Sequence, residues 1–135
     1  MKRIILIFGL LFLSLQGLRA QESGSSDRSG LVVREWNSDI GSEQKRLDRV
    51  TTYNALGRKL EEIEYGNDGQ KWRKRYEYDA DGKLLRVLVY GHRDKLDNVR
   101  KFEFNEMGRK KTEYIYDAKG KLRRIKYYEY EHSND

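Results

Sequence analysis

The chain has 135 residues, of which 37% are charged and 37% hydrophobic, with no Cys, no Pro and a mean hydropathy of −0.95. So short and polar a chain builds one small domain at most, and without cysteine it has no disulfide, no thiolate nucleophile and no Cys-based metal site. The net charge of +6 overstates its basicity: setting aside Lys2, Arg3 and Arg19 leaves 25 basic against 22 acidic side chains.

In residues 1–20, Lys2 and Arg3 precede an apolar run from Ile4 to Leu15, and Leu18 and Ala20 come before a polar chain. This is the layout of a secretory signal peptide, with a run shorter than the ~20 residues that span a bilayer. Cleavage near Ala20 is expected, with export to the periplasm, the cell surface or the medium, and no transmembrane segment after cleavage. Residues 21–30, "QESGSSDRSG", read as a flexible Ser/Gly-rich leader. Residues 31–135 remain as the folded domain.

Along that domain an aromatic residue, then Asp or Asn, two further residues and Gly recur. The copies are "YNALG" ending at Gly57, "YDADG" at Gly82, "FNEMG" at Gly108 and "YDAKG" at Gly120, with a looser "YGNDG" at Gly69. The Asx side chain bonds the backbone two residues on, the next two residues suit a type I turn, and Gly takes positive φ to close a three-residue hairpin loop. The glycines lie 12, 13, 26 and 12 residues apart, and "GHRDKLDN" (Gly91–Asn98) stands at the middle of the long interval. Between turns lie stretches rich in Tyr, Val, Ile, Leu and Thr with period-two alternation. The spacing predicts an all-β fold: an antiparallel meander of about eight strands in a single twisted or curled sheet.

Pairing outward from each turn without interruption sets Tyr76 opposite Arg86, Glu103 opposite Lys111, Lys101 opposite Glu113 and Ile63 opposite Trp72. In that register one face carries most of the Tyr, Trp and Phe residues and the other most of the paired charges. "LLRVLVY" (Leu84–Tyr90) is apolar on both faces and is expected near the centre of the sheet.

"YEYDADGKL" (Tyr76–Leu84) and "YIYDAKGKL" (Tyr114–Leu122) resemble the YD repeat of the Rhs family, with "FEFNEMGRK" and "YNALGRKL" as divergent copies. The resemblance implies an exported or envelope β-sheet protein, and carbohydrate binding has been suggested for some members. The large members wind long repeat arrays into a shell around a toxin domain. This chain has only a handful of repeats, so the encapsulating role does not carry over, and neither do any catalytic residues.

Little points to catalysis. His92 sits in the long turn and His132 near the C-terminus, the carboxylates fit turn capping or cross-strand pairing, and the ligand series of an EF-hand is missing. No enzyme activity, cofactor or metal is expected. From Lys95 to Lys126 there are 11 basic against 5 acidic residues, with Tyr114 and Tyr116 interleaved. An aromatic and basic surface of this kind attracts polyanions, and for an exported protein anionic envelope glycans or lipid headgroups are expected and a nucleic acid is not. The expected function is a non-catalytic binding or adaptor module using Trp72, Tyr76, Arg86, Tyr114, Tyr116 and Arg124. The alternative is an assembly protein that pairs with a protein partner through its sheet edges.

Overall fold

The computed structural model describes residues 26–133 as one eight-stranded antiparallel sheet in chain order, the all-β meander expected from the turn spacing. The strands are β1 (Val32–Asn37), β2 (Arg46–Tyr53), β3 (Lys59–Gly66), β4 (Gly69–Tyr78), β5 (Leu84–Tyr90), β6 (Leu96–Phe104), β7 (Lys110–Asp117) and β8 (Leu122–Tyr127). The sheet does not close: β1 and β8 are its two edges. The expected signal peptide lies outside the described residues. Among the described residues no helix is long and apolar enough to cross a membrane.

The four Asx-x-x-Gly hairpin turns form for the reason their residues give. Asp79 N–H donates to Lys83 O at 2.9 Å, Gly82 N–H to Asp79 O at 2.9 Å, and Asp79 Oδ1 accepts from Lys83 N at 2.8 Å. Gly82 has φ 79°, a region closed to most side chains. Asn54, Asn105 and Asp117 repeat this capping with Arg58, Arg109 and Lys121.

The register departs from the uninterrupted pairing. Tyr78 faces Leu84 as expected, but Tyr76 then faces Val87 and not Arg86. Likewise Glu103 faces Thr112, Lys101 faces Tyr114, and Ile63 faces Arg73. The cause is a β-bulge in every hairpin, just inside the outgoing strand. It leaves one unmatched residue each time: Asp48, Leu60, Lys71, Leu85, Asp97, Lys111 and Arg123. One extra residue moves every later side chain to the other face, and each bulge adds local twist.

The expected single aromatic face is therefore split. Neighbouring hairpins in a meander are related by a half-turn about an axis lying in the sheet across the strands, which exchanges ends and faces together. The same phrase at opposite ends must present its aromatic residue to opposite faces. Tyr53, Tyr78 and Phe104, before the turns at one end, lie on what we call the front face, and Tyr65, Tyr90 and Tyr116, at the other end, lie on the back.

Burial is shallow on both faces. Among the described residues no side chain is fully enclosed, and the apolar core is Val87 and Val89 on the front of β5, the strand expected to be central. Their buried neighbours are polar: Thr51, Glu62 and Glu113 on the front and Thr112 on the back. Glu62, 8% exposed, is held by Lys59 Nζ at 2.7 Å, Arg49 at 3.9 Å and the Tyr76 hydroxyl at 3.3 Å. Glu113, 3% exposed, is held by Arg100 at 3.5 Å and the Tyr128 hydroxyl.

These two clusters are copies of one design. Arg49, Asn54, Gly57, Arg58, Lys59 and Glu62 stand 51 residues before Arg100, Asn105, Gly108, Arg109, Lys110 and Glu113. Tyr76 and Tyr78 stand 52 before Tyr128 and Tyr130, because the β3–β4 turn is one residue shorter than the β7–β8 turn. Tyr78 and Tyr130 donate their hydroxyls to Lys59 O and Lys110 O at 2.6 and 2.7 Å. Arg58 and Arg109 lie over their rings at 5.7 and 5.3 Å. Strands β1–β4 and β5–β8 thus form two four-stranded copies.

The fold starts before Leu31. Ser26–Arg28 form a short 3-10 turn, Ser29 Oγ donates to Ala55 O at 2.7 Å, and Arg28 lies over the Tyr53 ring at 5.6 Å. Arg28–Gly30, at the end of the expected leader, pack on the β2–β3 turn for a sequence reason. Asp27–Gly30 is a further Asp-x-x-Gly phrase, 52 residues before Asp79–Gly82, and Gly30 has φ 65°.

Candidate functional site

The six side chains expected to share a binding face do not share one. Trp72, Tyr76 and Arg124 lie on the front, and Arg86, Tyr114 and Tyr116 on the back. The bulges produce this separation. On the front, Trp72 is covered by Lys74 Nζ, 4.2 Å from its ring. Tyr76 is half-buried in the Glu62 cluster, and burial together with the adjacent Glu62 charge pushes its phenol well above the ordinary range. Both are occupied in holding the sheet. Arg124 is exposed, opposite Ile115 on the edge strand β8.

The back face brings the other three close together. The pairing Glu77–Arg86–Lys101–Tyr114–Ile125 runs straight across β4 to β8. Arg86 Nε is hydrogen-bonded to Glu77, and Tyr114 donates to Glu103 at 2.8 Å. Beside this row Arg86, Val99, Lys101, Tyr116, Asp117 and the turn residues Ala118 and Gly120 line an open cleft of about 260 Å³, with the Asp117 carboxylate engaged by Arg123 at 2.7 Å. Lys101 Nζ stands 5.3 Å from the Tyr116 ring centroid and has no carboxylate within ion-pair distance among the described residues. Lys119 and Lys121 flank the cleft on its turn.

The cleft is floored by an apolar side chain, walled by an aromatic ring and edged with cations. That combination offers a ring face for stacking and the Lys101 ammonium for charge contacts. Among the described residues no side chain is hydrogen-bonded to Lys101 Nζ. No cluster of three metal-ligating side chains occurs among the described residues. A hollow of similar size lies by Asn37, Arg46 and Tyr65, but Arg46 is already engaged by Asp39 at 3.7 Å and by Asn67 at 3.2 Å.

Lys101 was missed by the sequence reading because uninterrupted pairing set it against Glu113, as a neutralised cation. The signal that finds it is the bulge: one extra residue at Lys111 moves Glu113 to Phe102 and puts Tyr114 opposite Lys101. Comparison of the chain with protein-family models, with curated proteins and with solved structures returned no match.

Proposed function

We propose that the protein is a non-catalytic exported binding module that holds an anionic polysaccharide of the cell envelope in the back-face cleft. The observation that carries this reading is Lys101, free of any carboxylate among the described residues, standing beside the Tyr116 ring in an open cleft whose other charged groups, Arg86 and Asp117, are already paired with Glu77 and Arg123. A polysaccharide suits an open, shallow site: successive sugar rings stack and ion-pair along a sheet without needing an enclosed pocket. The excess of basic residues between Lys95 and Lys126 adds long-range attraction that salt screens.

Titration calorimetry with polygalacturonate tests the site. Binding is expected to weaken with rising salt, and Lys101→Ala is expected to weaken it about tenfold, about 1.4 kcal/mol. Arg124→Ala, on the opposite face, is expected to leave it unchanged, and neutral dextran is expected not to compete. Wild-type affinity in both Lys101→Ala and Tyr116→Ala would overturn the assignment.

A further inference from the structure

The internal duplication shows what each edge of the sheet is shaped to meet. In the first copy β4 has a neighbour on both sides, β3 and β5. Its ladder with β3 ends at Arg75, and Tyr76, Glu77 and Tyr78 belong to the sheet because they pair with Val87, Arg86 and Leu84 of β5. In the second copy the ladder of β8 with β7 ends at the counterpart of Arg75, Tyr127. The next residues, Tyr128, Glu129 and Tyr130, still lie along β7 through Tyr128 N to Lys111 O at 3.1 Å and the two tyrosine hydroxyls. Among the described residues no strand pairs with their other side.

The strand that fits this position is present at the opposite edge. Leu31–Glu35, "LVVRE", stands 52 residues before Lys83–Val87, "KLLRV", and each follows an Asp-x-x-Gly phrase. β1 is thus the first-copy counterpart of β5, exposed along its whole length, as is β8. We propose that a second copy of this chain docks by its β1 on β8, continuing the sheet from copy to copy with the register of the β4–β5 junction.

Shifting that junction by 52 residues fixes the pairs. Glu129 faces Arg34, as Glu77 faces Arg86 with an ion pair between them. Tyr127 faces Trp36, as Arg75 faces Leu88, and Tyr130 meets Val32, as Tyr78 meets Leu84, once Val33 takes on docking the bulge that Leu85 takes in β5. The junction covers Val32, Trp36, Tyr127 and Tyr130, which are exposed in the single chain. It also pairs the open backbone donors and acceptors of both edges, the feature that makes an unprotected edge strand adhesive. The contact is heterologous: the patch on β8 differs from the patch on β1, so association propagates through further copies until a ring closes or a filament forms.

The test is a charge exchange on protein expressed from the full chain, followed by light scattering across a concentration series, with far-ultraviolet circular dichroism as the check on folding. Wild type is expected at integer multiples of the single-chain mass. Arg34→Glu and Glu129→Arg are each expected to shift the distribution to the single-chain mass with the sheet spectrum unchanged, both substitutions being on exposed edges. The double variant R34E/E129R is expected to restore assembly, because only this register sets the two residues opposite each other. A wild type that stays monomeric at every concentration would overturn the proposal. So would assembly indifferent to both single variants, or a double variant that fails to reassemble.

Discussion

Glu62 and Glu113 show how a thin sheet uses charge where a thicker protein uses a core. Burial alone would raise the pKa of Glu62, but the Lys59 ammonium, the Lys74 charge and the Tyr76 hydroxyl outweigh it and hold the carboxyl below its usual range. Asp94 is held down by Arg73 and Gln70, and Asp117 by the Lys121 amide and Arg123. A carboxyl whose pKa is lower folded than unfolded stabilises the fold above pH about 4, and the contribution is lost as pH falls through the folded value. The phenols behave oppositely. Burial and Glu62 raise Tyr76, and its bond to Glu113 raises Tyr128, so their contribution is present below pH about 10 and lost as pH rises through the folded values. Melting temperature is therefore expected to be flat from pH about 5 to about 9 and to fall on both sides. Glu62→Gln should lower the plateau while shallowing the acid limb. Tyr76→Phe and Tyr128→Phe should each shallow the alkaline limb. Thermal melts across the pH series read all three.

At the scale of the hairpin, turn chemistry and bulge are separate devices. The turn needs glycine, and Gly108 (φ 74°) and Gly82 (φ 79°) separate two reasons for it. An added methyl at Gly108 meets nothing within 4 Å, so Gly108→Ala is expected to cost only the backbone strain, about 1 kcal/mol. At Gly82 the methyl would overlap the guanidinium of Arg58, which bonds Gly82 O. Gly82→Ala is expected to cost about 1 kcal/mol more as that charged bond is lost. Comparative melts would show the second variant less stable, by roughly 4 °C per kcal/mol. The Asp or Asn cap and the Gly were plain in the sequence, which is why strand number, order and turn positions could be read directly. The bulges were not. "YEYDADGKLLRV" pairs equally well on paper with or without an extra residue at Leu85, and only the strand twist decides. The faces, and with them the grouping of Trp72 and Tyr76 with Tyr114 and Tyr116, followed the uninterrupted reading and were lost together. The 51-residue spacing of "NALGRKLEE" (Asn54–Glu62) and "NEMGRKKTE" (Asn105–Glu113) was present in the letters all along, behind the shorter and more obvious turn period.

For the whole molecule the consequence of a single layer is locality. Among the described residues every strand pairs only with its chain neighbours, and no second sheet or helix covers either face. Stability is then close to a sum of hairpins and their junctions, as in a repeat array. In the single chain, as in the Arg34→Glu variant that blocks the proposed junction, native-state hydrogen exchange is expected to grade from fast in β1 and β8 to slow in β4, β5 and β6, where Val87 and Val89 lie, with no single global opening protecting all strands alike. Uniform protection from β1 to β8 would refute that grading. The order of the strands also governs how the molecule bears tension. A pull on the two ends of the described chain grips the two outermost strands of the sheet. It loads each ladder at its end, opening hydrogen bonds one after another and not in parallel shear. Under load such a sheet peels strand by strand from its rims, lengthening in small steps at low force and reforming them when released. Its extension is expected to be compliant and reversible, with each turn a stopping point.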